Sequence, residues 1–126
     1  DSIVRGTTSI KIVQMMRDAG ATEVHMRIAA PPIKYPDFYG IDTPVQDQLL
    51  AANNSLEEMC QFIGADSLAF LTVDGLYKAM GHKNGRDNDN PAYTDHCFTG
   101  DYPTQLQDQK NDEQIQQLSL LSERIV

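Results

Sequence analysis

Basic residues are scarce in this sequence. Lys and Arg number 10 against 18 Asp and Glu, which gives a formal net charge of -8 at pH 7. Because non-specific binding to nucleic acid draws its affinity from a basic surface, this balance excludes that class of protein and argues against an anionic membrane surface. A phosphorylated ligand must be held by a local group of donors, since the overall field repels anions.

Cysteines and long apolar runs are also nearly absent. The two cysteines, Cys60 and Cys97, allow at most one disulfide and cannot form a disulfide framework. The sequence has neither the apolar region of a secretory signal nor an apolar run long enough to span a bilayer. We therefore expect a cytoplasmic protein with free thiols.

The first part of the chain has the pattern of a helix followed by a strand. Thr8 or Ser9 can cap a helix that runs to about Ala19, where Gly20 stops it. The apolar face predicted for this helix comprises Ile12, Val13 and Met16. The next segment, EVHMRIAA, alternates apolar and polar residues as a half-buried strand does. This order is typical of an α/β fold.

Prolines then interrupt the pattern. The stretch PPIKYPDFYGIDTP predicts a loop, because prolines at this density do not fit a helix interior or a central strand. Thr43 followed by Pro44 predicts a helix that begins there and continues to about Ala52.

The next segment carries clearer signals. Ser55-Leu56-Glu57-Glu58 is a capping-box pattern for a helix that Gly64 ends. SLAFLT predicts a short buried strand, and Asp74 is placed to cap a last helix through Met80 to Gly81.

The composition changes at His82, so we divide the chain into residues 1–81 and 82–126. HKNGRDNDNPAYTD is polar and rich in turn residues, which predicts a mobile loop. Near the end, a helix is predicted at about 111–125 with Asn111 as its cap. Its apolar stripe comprises Ile115, Leu118, Leu121 and Ile125.

The opening stretch DSIVRGTTS has the residues of an anion-binding loop. Gly6 lets the backbone approach a ligand closely, and hydroxyl donors follow it where a helix begins. The free N–H groups and the positive end of the helix dipole converge at such a point. A carboxylate such as Asp1 suits sugar hydroxyls or Mg²⁺. The combination points to a sugar phosphate with a metal, although an ordinary capped turn has the same residues.

This stretch resembles the phosphoribosyl pyrophosphate loop of the glutamine amidophosphoribosyltransferase family. PPIKYPDFYGIDTP, EEMCQFIGADSLAFLTVDGL and CFTGDYPT resemble later parts of the same family in the same order, so the resemblance reaches about Thr104. It implies the C-terminal portion of a type I phosphoribosyltransferase fold, a parallel sheet with flanking helices, followed by a mostly helical or irregular tail.

The resemblance also implies roles for residues of the loop. Asp1 would hold the ribose hydroxyls or Mg²⁺, and the backbone and hydroxyls from Val4 to Ser9 would wrap the 5′-phosphate. Arg5 would either assist a pyrophosphate-bearing ligand or lie in solvent. The residues assigned to the ribose 5-phosphate loop are Asp1, Ser2, Val4, Arg5, Gly6, Thr7, Thr8 and Ser9.

The sequence departs from the family at the positions of an iron–sulfur cluster. Many members hold a [4Fe-4S] cluster with four cysteines. This chain has Asp37 and Thr94 at two of those positions and a cysteine only at Cys97. We expect no cluster and interpret Cys97 as a free thiol. His96 beside it is a poor metal site without further partners.

The chain also lacks the family's N-terminal glutaminase domain, the glutaminase nucleophile and the pyrophosphate loops. We therefore expect a fragment with no catalytic residue of its own, which is inactive alone. In the family, the substrates are phosphoribosyl pyrophosphate and glutamine, and the enzyme is a homo-oligomer.

Two other hypotheses remain at this point. The chain could be a stand-alone, non-catalytic phosphoribosyl-binding or regulatory module, or an interaction segment whose proline-rich loop and C-terminal stripe form subunit contacts.

Overall fold

Two short parallel strands form the sheet. The structure, a computed structural model, describes residues 1–106. Strand β1, His25–Ile28, pairs with strand β2, Ser67–Phe70, in a register that sets His25 opposite Ser67 and Ile28 opposite Phe70. This parallel pairing with surrounding helices confirms the α/β fold class.

Five helices accompany the sheet in the described residues, and the two between β1 and β2 lie in the crossover that parallel strands require. In chain order they are α1 Thr7–Asp18, α2 Leu50–Asn53, α3 Leu56–Ile63, α4 Val73–Ala79 and α5 His96–Thr99. A 3₁₀ turn at Gln46–Gln48 leads into α2. The core between the sheet and the crossover helices comprises Ile3, Ile28, Leu50, Ala51, Met59, Ile63 and Leu68. Among residues 1–106, no helix is long and apolar enough to cross a membrane.

Asp66 ties the end of α1 to the sheet. Its Oδ2 accepts hydrogen bonds from the backbone N–H of Val24 at 2.7 Å and from Nη2 of Arg17 at 2.9 Å. Arg17, in the last turn of α1, also donates to the carbonyl oxygen of Gly64 at 2.9 Å. Because α1 is held at this end, the position of its N-terminus is fixed relative to the sheet.

The first helix begins earlier than predicted. Its N-cap is Gly6, with φ 85°, so Thr8 and Ser9 lie inside the first turn and do not cap it. On the predicted apolar face only Val13 is buried, whereas Ile12 and Met16 are 38% and 48% exposed. Ile12 and Met16 are exposed because only a narrow face of α1 packs against α3, and the rest of the apolar surface of α1 faces solvent.

The helix predicted from Pro44 to Ala52 is wrong in its first half. The chain is irregular from Thr43 to Val45, and after the 3₁₀ turn an extended Leu49, with ψ 117°, separates that turn from α2. Thr43 caps no helix, and its Oγ1 accepts a hydrogen bond from the backbone N–H of Asp37 at 2.7 Å.

The capping box predicted for α3 is confirmed. The Ser55 hydroxyl accepts from the N–H of Glu58 at 3.2 Å, the Glu58 carboxylate accepts from the N–H of Ser55 at 2.7 Å, and Gly64 ends the helix with φ 77°. The cap predicted for α4 is wrong. Thr72 caps that helix, while Asp74 lies in its first turn and accepts from the backbone N–H of Arg86 at 2.9 Å.

Arg86 anchors the polar segment that follows α4. Its Nε donates to Oδ2 of Asp95 at 2.6 Å, its Nη2 donates to Oδ2 of Asp101 at 2.6 Å, and only 8% of its side chain is exposed. The composition, which predicts a mobile loop, gives no sign of this anchor. The helix predicted at about 111–125, with its cap Asn111, lies outside the described residues.

Candidate functional site

The opening segment encloses a small cavity. Residues 2–9 line a cavity of about 190 Å³. The segment has firm support on both sides of its backbone, because the Ile3 side chain is buried in the core and the Val4 carbonyl accepts from the N–H of Leu50 at 2.9 Å. The cavity is therefore built on the crossover helices and not on a free terminus.

The N-terminus of α1 lies at this cavity. The first N–H groups of an α-helix have no acceptor within the helix, and here the first turn contains no acidic side chain. Thr7 and Thr8 are exposed, whereas Ser9 is buried. Free N–H groups, nearby hydroxyls and the positive end of the helix dipole form an arrangement that can hold an anion.

Gly6 occupies the tightest point of the segment. It has φ 85°, and an added Cβ would lie 2.8 Å from Cδ2 of Leu50 and 3.0 Å from Cε1 of Phe62. A residue with a side chain would thus be strained by the backbone and would collide with α2 and α3. Glycine is required here so that the segment can pass over the helices and then begin α1.

The charged residues of the segment lie at its edges. Arg5 is exposed, and its Nε and Nη2 donate to Oε1 of Gln48 at 3.3 and 3.1 Å, which holds the guanidinium beside the 3₁₀ turn. Asp1 is exposed, and its Oδ1 accepts from the backbone N–H of Ser2 at 2.9 Å. Gln48 is a neighbour of the site that the sequence analysis missed, since it lies 43 residues from Arg5.

The structure brings most of the predicted site residues together. The residues that line the cavity are Ser2, Ile3, Val4, Arg5, Gly6, Thr7, Thr8 and Ser9. Asp1 is not among them, and Ile3, which the prediction omitted, contributes while its side chain fills the core.

A second polar cluster lies in the interior, where α5 meets the proline-rich loop. Nε2 of His96 lies 2.5 Å from Oδ1 of Asp37, and the two side chains are 6% and 2% exposed. Oδ2 of Asp37 accepts from the backbone N–H groups of Tyr39 at 2.9 Å and Ile41 at 2.7 Å. The N–H of Ile41 contributes most to lowering the pKa of Asp37, and together with Tyr39 and His96 it outweighs the raising effect of burial.

Cys97 completes this cluster. One potential ligand atom from each of Asp37, His96 and Cys97 lies within 4.8 Å of the other two. Burial raises the pKa of the Cys97 thiol, and the charge of Asp37 raises it further. His96 therefore has a partner in Asp37, a pairing that the sequence analysis did not find. His96 and Cys97 are adjacent in the chain, but Asp37 lies 59 residues before His96, so no local spacing relates Asp37 to the other two.

The donor set of this cluster does not fit a [4Fe-4S] cluster. Such a cluster is held by thiolates, and here one thiol accompanies a carboxylate and an imidazole. Thr94, the third position implied by the family resemblance, offers a hydroxyl and is exposed. The other cysteine, Cys60, packs against the core and donates its thiol hydrogen to the carbonyl oxygen of Ala65 at 3.2 Å.

No protein-family model matches the chain, but curated proteins that are similar to it share one name, amidophosphoribosyltransferase. An amidophosphoribosyltransferase of Rhizobium etli is 58% identical over 123 residues, which are 97% of this chain and 25% of that protein. The amidophosphoribosyltransferase of Bacillus subtilis is 56% identical over 106 residues, which are 84% of this chain and 22% of that protein.

Solved structures agree with the curated relatives. The glutamine phosphoribosylpyrophosphate amidotransferase from B. subtilis, complexed with ADP and GMP, matches with a TM-score of 0.73 and 55% identity, over 83% of this chain and 23% of that one. A structure described as the allosteric regulatory enzyme of purine biosynthesis matches with a TM-score of 0.73 and 54% identity, over 84% of this chain and 22% of that one. The chain thus spans about a quarter of the length of the curated relatives it matches.

Proposed function

Because this chain resembles the C-terminal part of glutamine amidophosphoribosyltransferase over almost its whole length, we propose that it supplies the 5′-phosphate-binding portion of such an enzyme. The parent reaction converts phosphoribosyl pyrophosphate, glutamine and water into 5-phosphoribosylamine, glutamate and pyrophosphate, the first step of de novo purine biosynthesis. In this proposal the chain binds one end of the phosphoribosyl substrate, and the rest of a longer enzyme supplies ammonia and holds the pyrophosphate.

The observation that carries the proposal is the cavity at the N-terminus of α1. Its walls are formed by residues 2–9, and Gly6 lets this segment pass over α2 and α3 before α1 begins. For a protein with a net charge of -8, a local site of oriented N–H groups is the kind of device that can bind a phosphate monoester.

The exposed residues of the first turn have distinct tasks. The N–H groups of Thr7 and Thr8 would donate to phosphate oxygens, and the two hydroxyls would add donors beside them. Ser9 is buried, so its backbone N–H is the group that can contribute. Arg5, held by Gln48, would remain at the rim, where its charge attracts the anionic substrate.

Asp1 fits the part of a Mg²⁺ ligand. In phosphate-binding sites Mg²⁺ is typically held by one or two carboxylates together with phosphate oxygens and water. Asp1 is exposed next to the cavity, and its carboxylate has the hard oxygen donors that this ion prefers. When bound, Mg²⁺ would offset the negative charge of the pyrophosphate.

A binding experiment tests this proposal. Titration with ribose 5-phosphate is expected to shift the NMR signals of the amides of Thr7, Thr8 and Ser9, whereas ribose leaves them unchanged. Thr8→Val removes the hydroxyl at nearly constant volume. We expect it to weaken binding by roughly 10- to 150-fold, since a hydrogen bond to a charged group contributes about 1.5–3 kcal/mol.

The matched control is Thr22→Val, since Thr22 is exposed beyond the opposite end of α1. This variant should bind ribose 5-phosphate as the unchanged protein does. Equal shifts with ribose, or equal losses in the two variants, would refute a phosphate site at α1.

The partners of the complete enzyme follow from the same proposal. We propose that the protein binds glutamine-derived ammonia only as part of a longer chain, that it forms a homo-oligomer, and that it works in the cytoplasm. The exposed aromatic side chains of the proline-rich loop, Phe38 and Tyr39, each 44% exposed, support a role of this loop in subunit contacts.

A further inference from the structure

The cluster of Asp37, His96 and Cys97 has features of a metal site that an ion pair alone does not need. We propose that it binds one divalent metal ion of the zinc class, with the imidazole of His96 and the thiolate of Cys97 as ligands and Asp37 orienting the imidazole. This site is separate from the phosphate cavity, which is lined by residues 2–9.

The first argument is an unpaired atom. Nδ1 of His96 is buried and has no hydrogen-bond partner among the described residues, while Nε2 is bonded to Asp37. In the tautomer with the proton on Nε2, the Nδ1 atom carries a free lone pair. A buried polar atom without a partner costs free energy, and a metal ion that accepts this lone pair would remove the cost.

The second argument is the hydrogen bond on the other side of the ring. Histidine ligands of metals usually donate their second N–H to a carboxylate, which fixes the tautomer and the ring orientation. Asp37 makes this contact at 2.5 Å, and its other oxygen is held by the N–H groups of Tyr39 and Ile41. The carboxylate thus cannot rotate freely, and the imidazole is held in one orientation.

The third argument is the thiol. Sγ of Cys97 lies within 4.8 Å of one ring nitrogen of His96 and of one carboxylate oxygen of Asp37, and the carbonyl of Cys97 accepts from the N–H groups of Lys34 and Tyr35 at 2.9 and 3.1 Å. These backbone bonds fix α5 to the proline-rich loop, so the loop residue Asp37 is held near the thiol and the imidazole of α5.

The chemistry of these donors selects the class of ion. A thiolate with an imidazole suits borderline-soft ions such as Zn²⁺ and Co²⁺ better than Mg²⁺ or Ca²⁺, which take oxygen ligands. The thiolate and the Asp37 carboxylate would together offset two positive charges. Binding would displace the proton of the Cys97 thiol, and water would complete the coordination.

Titration of the protein at its natural length, first stripped of metal, with Co²⁺ tests the proposal. We expect one equivalent to produce the absorption that marks a thiolate-to-cobalt bond. Cys97→Ala should abolish this absorption, and the matched variant Cys60→Ala should retain it. Asp37→Asn should weaken the affinity by about 10- to 100-fold, as loss of a carboxylate behind a histidine ligand does.

Alkylation of the unchanged protein gives a second test that needs no variant to fold. Mass spectrometry should find that Zn²⁺ slows the alkylation of Cys97 and leaves that of Cys60 unaffected. If Co²⁺ gives no thiolate absorption, or if Zn²⁺ protects both cysteines equally or neither, the cluster is only a buried ion pair and the proposal fails.

Discussion

At the scale of single residues, Gly6 determines whether the cavity lined by residues 2–9 can form. Gly6→Ala places a side chain in a left-handed conformation and against Leu50 and Phe62. We expect the free energy of unfolding to fall by about 1–3 kcal/mol from backbone strain, with a further loss from the collision. Ribose 5-phosphate binding should be lost as well. Urea unfolding and NMR titration measure the two effects.

Gly20→Ala is the matched control for this substitution. Gly20 has φ 102°, but a Cβ there meets no atom within 4 Å. Gly20→Ala should lower the free energy of unfolding through backbone strain alone, and it should not weaken the binding of ribose 5-phosphate. If the two variants are equally stable and bind equally, the close approach at Gly6 has no role.

The lowered pKa values of two carboxyl groups, those of Asp66 and Asp95, predict how the free energy of unfolding depends on pH. The N–H of Val24, followed by Arg17, lowers the pKa of Asp66 despite burial. Burial by itself would raise the pKa of Asp95, but hydrogen bonds from Arg86, Tyr77 and Thr99 outweigh it, so this pKa is lowered too. Such groups stabilise the fold above their unfolded pKa, and this contribution is lost as the pH falls through the folded pKa.

The free energy of unfolding should therefore stay nearly constant from about pH 7 to pH 5 and fall below about pH 4, near the pKa of unfolded aspartate. Urea midpoints measured across this range test the expectation. Asp66→Asn should flatten the decline, while Asp89→Asn, at an exposed loop position, should leave it unchanged. A decline that Asp66→Asn does not alter would show that other groups cause it.

At the scale of elements, α1 and α3 differ in how far their apolar residues are buried. Met59 in α3 is 4% exposed, whereas Met16 in α1 is 48% exposed. We expect Met59→Ala to lower the free energy of unfolding by about 2–5 kcal/mol, because it leaves a cavity in the core. Met16→Ala should change it by less than about 0.5 kcal/mol.

The same pair of variants tests where α1 lies. Equal losses in urea unfolding would mean that Met16 is buried and that the helix is rotated from its place in the structure. The apolar period of α1 predicts the helix correctly, but it cannot predict how much of its face another element covers.

At the scale of the whole molecule, the described residues contain a sheet of two strands and one loop that is proposed to bind the 5′-phosphate. Phosphoribosyl transfer needs several loops that hold a cationic ribose and a leaving pyrophosphate together. We therefore expect the 126-residue polypeptide to make no 5-phosphoribosylamine from glutamine or from ammonia, even with Mg²⁺. Pyrophosphate release measures this. Turnover above that of a Gly6→Ala sample would contradict the expectation.

The sequence by itself determined the features that depend on near neighbours. The bounds of α3 could be predicted because its capping signals are local. Ser55 and Glu58 form the capping box only three positions apart, and Gly64 directly follows the last residue of the helix. The pattern that predicts an anion-binding loop at residues 2–9 is equally local, because glycine, hydroxyls and a helix start follow one another directly.

Tertiary structure decided what depends on the path of the chain. Thr43 bonds to Asp37 instead of capping a helix, and Arg86 reaches across its loop to Asp95. Asp37 meets His96 across 59 residues. Each of these polar groups takes a buried partner that only folding brings near, since a buried donor or acceptor must be paired wherever the fold places it.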